Sequence, residues 1–240
     1  METTKSPTIG SFVAADYRTA TVFQKYGIDF CCKGGRLIDD VCEKQNISSH
    51  QLLNELAEIS KEPDNNAVDF QTWSLDLLAD YIEKKHHRYI EQNTPALQQF
   101  LDKLCEVHGI NHPELFEIRE EFNASAEELA KHMIKEEQIL FPFIRTMVSS
   151  DIKNVKPDNS SFGTVQNPIQ IMMEEHVVEG ERFQKMSEIS DNYSTPADGC
   201  TTYRVAYALL KEFDNDLHKH IHLENNILFP KAIEMEKKLF

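Results

Sequence analysis

The chain has 240 residues, enough to bury the core of one large domain or two small ones, and its formal net charge is −15 at pH 7. That excess of acidic side chains argues against nucleic acid or an anionic membrane as partner, because both would repel it. Apolar residues make up 40% and charged residues 27% of the chain, a composition typical of globular proteins and not of disordered ones.

Signals for secretion or membrane insertion are missing from the sequence. No apolar run reaches the roughly 18 residues that a membrane helix needs, and METTKSPTIG at the N-terminus contains no signal-peptide core. We therefore expect a cytoplasmic protein. In such a reducing compartment, the odd count of 5 cysteines indicates thiol or metal chemistry, or buried thiols, rather than a disulfide scaffold.

Residues 1–62 are predicted to form a small helical N-terminal domain. Asp16 can cap a first helix, a second begins near Leu37, and a third begins at Ser48 or Ser49. About 60 residues is a marginal size for a domain. We therefore expect this unit to pack against the rest of the chain.

The polar, proline-containing segment 63–73 predicts a linker, and 74–240 reads as a four-helix bundle of up-down-up-down topology. Only 8 glycines and 9 prolines, with no sustained period-two alternation, argue against strands. The predicted fold class is therefore all-α. The predicted bundle helices, the first interrupted near Pro95, are 74–107, 113–149, 168–191 and 200–238.

The second and fourth bundle helices share the pattern H-x-x-x-E-x-x-I-L-F-P, at 132–142 and 220–230. A histidine and a glutamate four residues apart lie on one helix face. The isoleucine and leucine that follow are expected to continue this face into the core. An unpaired carboxylate is costly to bury there, and a metal ion would remove that cost. The repeat therefore predicts His132, Glu136, His220 and Glu224 as ligands.

The other two bundle helices each supply one inward histidine. In the first, apolar residues recur every four positions through Ile82 and Ile90, which places His86 inwards and His87 in solvent. In the third, His176 lies in the apolar stripe. The predicted metal ligands are His86, His132, Glu136, His176, His220 and Glu224.

This ligand set suits a dinuclear centre in which each ion takes two imidazoles and both glutamates bridge. Imidazole with carboxylate favours iron or manganese, and zinc stays open. Two divalent ions and two glutamates leave a formal charge of about +2, which favours a bridging oxide or hydroxide, or an anionic or diatomic ligand. A lone buried histidine is more often a hydrogen-bonded core residue. Because the histidine and the glutamate recur in two copies of a longer pattern, metal binding is favoured over this alternative. Gly180, one turn beyond His176, could leave a small pocket.

The chain resembles hemerythrin-like four-helix bundles, and specifically the iron–sulfur cluster repair di-iron proteins (the RIC family, ScdA/YtfE-like). The motifs that carry the resemblance are D-F-C-C-K-G-G (29–35), H-M-I-K-E-E-Q-I-L-F-P (132–142), M-E-E-H (173–176) and H-I-H-L-E-N-N-I-L-F-P (220–230). It implies two non-haem irons on the six residues above. It also implies a stress-response role, in which iron is donated to clusters damaged by nitric oxide or peroxide.

The partners implied are damaged iron–sulfur proteins, with nitric oxide or oxygen as small ligands, and a small exposed N-terminal domain would also suit a homodimer. The expected role is that of an iron donor rather than a classical enzyme. Two alternatives stay open: a hemerythrin-type carrier or sensor of oxygen or nitric oxide, and a di-iron nitric oxide reductase.

Cys31 and Cys32 are adjacent, so a disulfide between them would be strained. They are either redox or iron-transfer thiols, or two small residues that pack at a helix start. The first interpretation favours repair over a plain carrier, which would not need them. The other cysteines, Cys42, Cys105 and Cys200, read as ordinary helix residues, and His218 and His222 are expected to be solvated.

Overall fold

The computed structural model describes residues 7–61, 68–158 and 160–240. Within these ranges the regular elements are all helical, and the only β-type pairings are two isolated bridges, Thr8 with Leu37 and Ser160 with Gly163. The all-α fold class is therefore confirmed. None of the helices in the described ranges combines the length and the apolar character needed to cross a membrane.

The N-terminal segment contains one helix more than the sequence predicted. Thr8 caps this additional helix by accepting a hydrogen bond from the Ser11 N–H. Asp16 caps a short 3₁₀ turn, and α2 follows from it directly. The helices here are α1 (Ile9–Ala15), α2 (Ala20–Lys25), α3 (Ile38–Gln45) and α4 (Ser49–Lys61).

The four predicted bundle helices are present between residues 75 and 239, but three of them contain a π-helical turn. The first consists of α5 (Leu75–Tyr81), the π turn Ile82–His87 and α6 (Arg88–His108). The second consists of α7 (Glu114–Lys135), the π turn Glu136–Leu140 and α8 (Phe141–Lys153). The third is α9 (Gln166–Ile189), and the fourth consists of α10 (Thr201–Leu223), the π turn Glu224–Leu228 and α11 (Phe229–Leu239).

Pro95 does not interrupt the first bundle helix, so that prediction is wrong. Proline removes one backbone donor from a helix interior, yet α6 runs through it without a break. The Thr94 hydroxyl donates to the Ile90 carbonyl at 2.7 Å, and Ile90 and Leu97 are both buried on either side of the proline. Core packing therefore maintains the helix across this position.

Each π turn of the repeat is followed closely by a proline. Pro142 and Pro230 have no N–H, so the carbonyl four residues before each lacks its α-helical donor. The chain widens there, and the Phe141 and Phe229 N–H groups donate to carbonyls five residues back, at Glu136 and Glu224. Such turns are frequent at functional sites. Each begins here at the glutamate of the repeated pattern.

Two apolar clusters fill the described core, one on either side of the repeat histidines. The first joins the N-terminal segment to the bundle, since Phe23 and Phe30 pack in one cluster with Leu217. The second lies toward the other end of the bundle, around Leu78 and Met172. The polar side chains at the π turns therefore form a layer between two apolar regions. The predicted boundaries at 62/63 and 73/74 stay a prediction, because 62–67 lie outside the described residues.

Candidate metal centre

Six buried side chains form two adjacent groups with the geometry of a dinuclear metal centre. In each group, two histidines and two glutamates bring their ligand atoms within 4.8 Å of one another, and both glutamates belong to both groups. Shared carboxylates between two sets of imidazoles are the arrangement expected of bridging ligands. The first group is His87, Glu136, His220 and Glu224, and the second is His132, Glu136, His176 and Glu224.

Glu136 lies between histidines of the two groups. Its Oε2 atom is 3.3 Å from Nε2 of His87 and 3.4 Å from Nε2 of His132. Both histidines therefore reach the same carboxylate from different helices.

Glu224 occupies the matching place on the fourth bundle helix. Its Oε1 atom is 3.1 Å from Nε2 of His220, and its Oε2 atom is 3.2 Å from Nε2 of His176. Nε2 of His176 is also 3.1 Å from Nε2 of His132. The imidazoles and carboxylates thus converge with their metal-binding atoms facing one another.

The buried polar atoms of this layer that make no hydrogen bond are suited to bind a metal ion. Nε2 of His87, both carboxylate oxygens of Glu136 and Oε2 of Glu224 make no hydrogen bond within the described part of the chain. Both glutamates are fully buried, and a buried carboxylate without a partner is destabilising. A cation would satisfy all of these atoms together. Imidazole and carboxylate donors suit iron, manganese or zinc.

His87, and not His86, lies in this cluster, and here the structure differs from the predicted ligand set. The expectation that His87 is solvated is wrong, because it is 0% exposed. The π turn Ile82–His87 holds more residues than an α-helical turn and rotates the following positions around the helix axis. His86 is also buried, but its Nδ1 lies 3.0 Å from Oδ2 of Asp216, and it belongs to neither group.

Protons balance the charges of the cluster when no metal is bound. Burial opposes a positive charge on His132, but the Glu136 carboxylate outweighs it and raises the pKa of His132 to about 10. Burial likewise opposes the charge on Glu224, yet His220 and His176 hold the pKa of Glu224 well below its usual range. A metal ion would displace these protons from the imidazoles.

The residue that follows each repeated glutamate orients a histidine from another helix. Nδ1–H of His87 donates to Oε1 of Glu137 at 2.9 Å, and Nδ1–H of His176 donates to Oδ1 of Asn225 at 2.9 Å. Metal-binding histidines commonly donate their second ring N–H in this way. Sequence reasoning did not predict either contact. The available signal was that both copies of the repeat have a side chain capable of hydrogen bonding directly after the glutamate.

A carboxylate on the third bundle helix orients His132. Its Nδ1–H donates to Oε2 of Glu175 at 2.8 Å, and Lys135 contacts the other oxygen of the same carboxylate. Hydrogen bonding from His132 and Lys135 together lowers the pKa of Glu175 to about 2. Nδ1 of His220 makes no hydrogen bond within the described residues. The four histidines of the cluster therefore differ in the hydrogen-bond partner of their Nδ1 atom.

Cys31 and Cys32 lie against the third bundle helix, next to the cluster. Sγ–H of Cys32 donates to the backbone carbonyl of His176 at 3.1 Å. The small space predicted beside Gly180 exists, but Cys32 fills it. A Cβ atom at position 180 would lie 2.9 Å from Sγ of Cys32. The vicinal thiols are therefore neighbours of a predicted ligand.

Three side chains that sequence reasoning treated as unremarkable have specific contacts. His222, expected in solvent, is buried, and burial lowers its pKa to about 3. His218 is partly buried, and its Nδ1–H donates to the Asp214 carbonyl at 2.8 Å. Cys200 is exposed at the N-terminus of α10, where hydrogen bonding with His108 lowers the thiol pKa to about 7.

Comparison with known proteins places this geometry in a family. A hemerythrin HHE cation binding domain matches residues 78–232, and a domain of unknown function (DUF542, ScdA_N) matches residues 5–60. The iron-sulfur cluster repair protein YtfE of Yersinia pestis (strain Pestoides F) is 31% identical over 97% of this chain and 99% of its own length. This chain belongs to the ScdA/YtfE family. The iron-sulfur cluster repair protein ScdA of Staphylococcus haemolyticus is 28% identical, over 89% of this chain and 91% of its own length.

Membership of the ScdA/YtfE family confirms the resemblance drawn from the sequence motifs. Both His–Glu groups fall inside the part of the chain that the cation-binding domain matches. The vicinal cysteines fall inside the ScdA_N match. The two features that the sequence singled out therefore belong to the two matched regions, and the structure brings them into contact.

Proposed function

We propose that this chain is a di-iron protein that repairs iron–sulfur clusters damaged by oxidative or nitrosative stress, by donating iron to them. The observation that carries the proposal is the pair of buried His–Glu groups with shared glutamates. It is supported by relatives named iron-sulfur cluster repair proteins. Two non-haem irons would occupy the groups, and an oxide or hydroxide bridge, a cytoplasmic location and a homodimer stay predictions.

The residues of the bundle would hold the ions and replace them with protons. His87 and His220 would bind one ion, His132 and His176 the other. Iron bound there would supply a divalent ion that can leave the site. Without a metal ion His132 would hold a proton, because the Glu136 carboxylate raises its pKa. A proton on His132 would offset part of the negative charge of Glu136 and Glu224.

Cys31 and Cys32 would act where this chain contacts the damaged protein, as redox or iron-transfer thiols. Their support is position, since Cys32 contacts the backbone of His176. Cys32 is partly exposed, whereas the His–Glu groups are buried. A donor must move iron from a buried layer to a partner's surface, and these thiols lie between the two.

An anaerobic transfer experiment tests the proposal. The iron-loaded protein is mixed with an enzyme that contains a damaged [4Fe–4S] cluster, and recovered activity is followed together with the iron content of both proteins. We expect activity to return as iron leaves the donor, and the Glu136→Leu variant to restore much less activity because it binds less than one iron per chain. Reversible gas binding without recovery would identify a carrier. Catalytic loss of nitric oxide without loss of iron would identify a reductase.

A further inference from the structure

The N-terminal segment contains a third cluster of metal-binding side chains, separate from the two His–Glu groups. Ligand atoms of Asp29, Cys31 and Cys32 all lie within 4.8 Å of one another. The two Sγ atoms are 3.4 Å apart, and Sγ of Cys31 is 3.5 Å from Oδ1 of Asp29. None of these residues is shared with the bundle cluster.

A tight turn brings the two thiols to the same side of the backbone. Oδ1 of Asp29 accepts hydrogen bonds from the N–H groups of Cys31, at 3.1 Å, and Cys32, at 2.9 Å. Adjacent side chains in an extended strand would point to opposite sides. Both thiols are free, and a disulfide between neighbours would be strained. The pair is therefore better arranged to share an ion than to bond to itself.

The bundle provides a specific place for this turn. Sγ of Cys32 lies against the His176 carbonyl, and position 180 accommodates it only because glycine has no Cβ. Asn225 makes a second connection. Its amide N–H donates to the Cys31 carbonyl at 3.2 Å, while its oxygen accepts from Nδ1–H of His176. The third cluster is therefore held in a fixed position next to one half of the centre.

A cavity opens beside one residue of the cluster, Cys32. A space of about 440 Å³ opens beside Cys32 and is lined on α9 by Gln170, Met173 and Glu174 and on α11 by Ile233. A thioether and a carboxylate therefore lie in the same space as the thiol. An ion can approach Cys32 from this side without passing through the bundle.

We propose that Asp29, Cys31 and Cys32 form a third cation site, which binds a single thiophilic divalent ion such as Fe²⁺ or Zn²⁺. Two metal–sulfur bonds form and two S–H bonds break, and the protons go to solvent without any change of oxidation state. Thiolate ligands select such ions over Mg²⁺ or Ca²⁺. Of the three residues, Cys32 lines the cavity. Use of this site as a relay for iron rests on the proposed function, whereas ion binding does not.

X-ray absorption at the zinc edge tests the site in the full-length, iron-loaded protein. One equivalent of Zn²⁺ is added, and sulfur scattering at about 2.3 Å is measured. Because the His–Glu groups contain no sulfur, zinc bound there would show only nitrogen and oxygen. We expect two sulfur ligands in the wild type and none in the Cys31→Ser/Cys32→Ser variant. A wild-type spectrum without sulfur, or sulfur scattering that persists in the double variant, would overturn the proposal.

Three single variants refine the result. Asp29→Asn keeps the acceptor oxygen of the turn but removes its charge, and we expect zinc affinity to fall at least tenfold. Gly180→Ala should weaken zinc binding as well, because its methyl group displaces Sγ of Cys32. Cys200→Ser, which removes a different exposed thiol, should leave the sulfur signal intact, and its loss there would contradict the site. Iron transfer is measured in its own assay, so the two proposals fail separately.

Discussion

The two copies of the repeated pattern, at 132–142 and 220–230, place the same pair of side chains in the buried cluster but support the cluster differently. Each places a histidine before a π turn and a glutamate at the first residue of that turn. The residue after the glutamate orients a histidine from a neighbouring helix. In the first copy that residue is the charged Glu137, and in the second it is the neutral Asn225. A carboxylate can only accept hydrogen bonds, whereas an amide also donates. Asn225 uses its donor to hold the Cys31 carbonyl.

The Nδ1 atoms of the four histidines therefore have different partners, and Nδ1 of His220 has none within the described residues. A carboxylate that accepts a hydrogen bond from the second ring N–H of a histidine makes the imidazole a more basic metal ligand. His87 and His132 each have one, from Glu137 and Glu175, while His176 has the Asn225 amide. The half of the centre next to the N-terminal segment therefore contains the amide-supported histidine. Variants that exchange or remove these supports test the comparison.

Loss of either shared glutamate should have the largest effect, because Glu136 and Glu224 each belong to both His–Glu groups. We expect Glu136→Leu and Glu224→Leu each to reduce bound iron from two per chain to less than one. Metal analysis of protein loaded anaerobically measures this. Two irons retained in both variants would show that the carboxylates are not ligands.

The histidine pair in the first bundle helix provides a matched comparison. His87→Gln should lose one of the two irons, because it removes a ligand of a single group. His86→Gln should retain both irons, since His86 contacts Asp216 instead. Iron content and the iron absorption spectrum of the two variants report this directly. The opposite result would support the ligand set predicted from the sequence.

Substitution of the residues that accept a hydrogen bond from Nδ1–H of the histidines should have a smaller effect on metal binding. Changes in such supporting residues lower metal affinity by roughly 10–100-fold, and we expect this for both Glu137→Gln and Asn225→Leu. Only Asn225→Leu should also increase hydrogen exchange at residues 29–35, because it removes the contact with Cys31. Equal exchange in the two variants would show that the second copy does not anchor the N-terminal segment.

The smallest expected effect is a pH dependence from Glu175 in the metal-free protein. Its pKa falls from 4.5 to about 2 on folding, through hydrogen bonds from His132 and Lys135. A lowered carboxyl pKa stabilises the folded state above pH 4.5, and this stabilisation disappears as the pH falls toward 2. Glu175→Gln should therefore have a lower free energy of unfolding than the wild type at pH 7. Urea denaturation should show the difference shrinking below pH 4.5, and a constant difference would contradict the assignment.

Sequence periodicity was sufficient to predict the four bundle helices and the inward histidine and glutamate of each repeat copy, because those side chains follow α-helical spacing up to the glutamates. It failed where the backbone leaves that spacing. Because of the π turn before α6, His87 lies in the cluster where the periodicity predicted His86. The turn after Glu136 likewise leaves Ile139, which was expected in the core, 47% exposed. Packing of Cys32 against Gly180 is a contact between distant segments, which local sequence patterns do not encode.

Anomalous diffraction at the iron edge, from crystals of the iron-loaded protein, tests the central claim most directly. We predict two peaks inside the bundle, one between His87 and His220 and the other between His132 and His176, with Glu136 and Glu224 contacting both. A single peak, or two peaks with His86 as a ligand in place of His87, would contradict the dinuclear centre described for this chain.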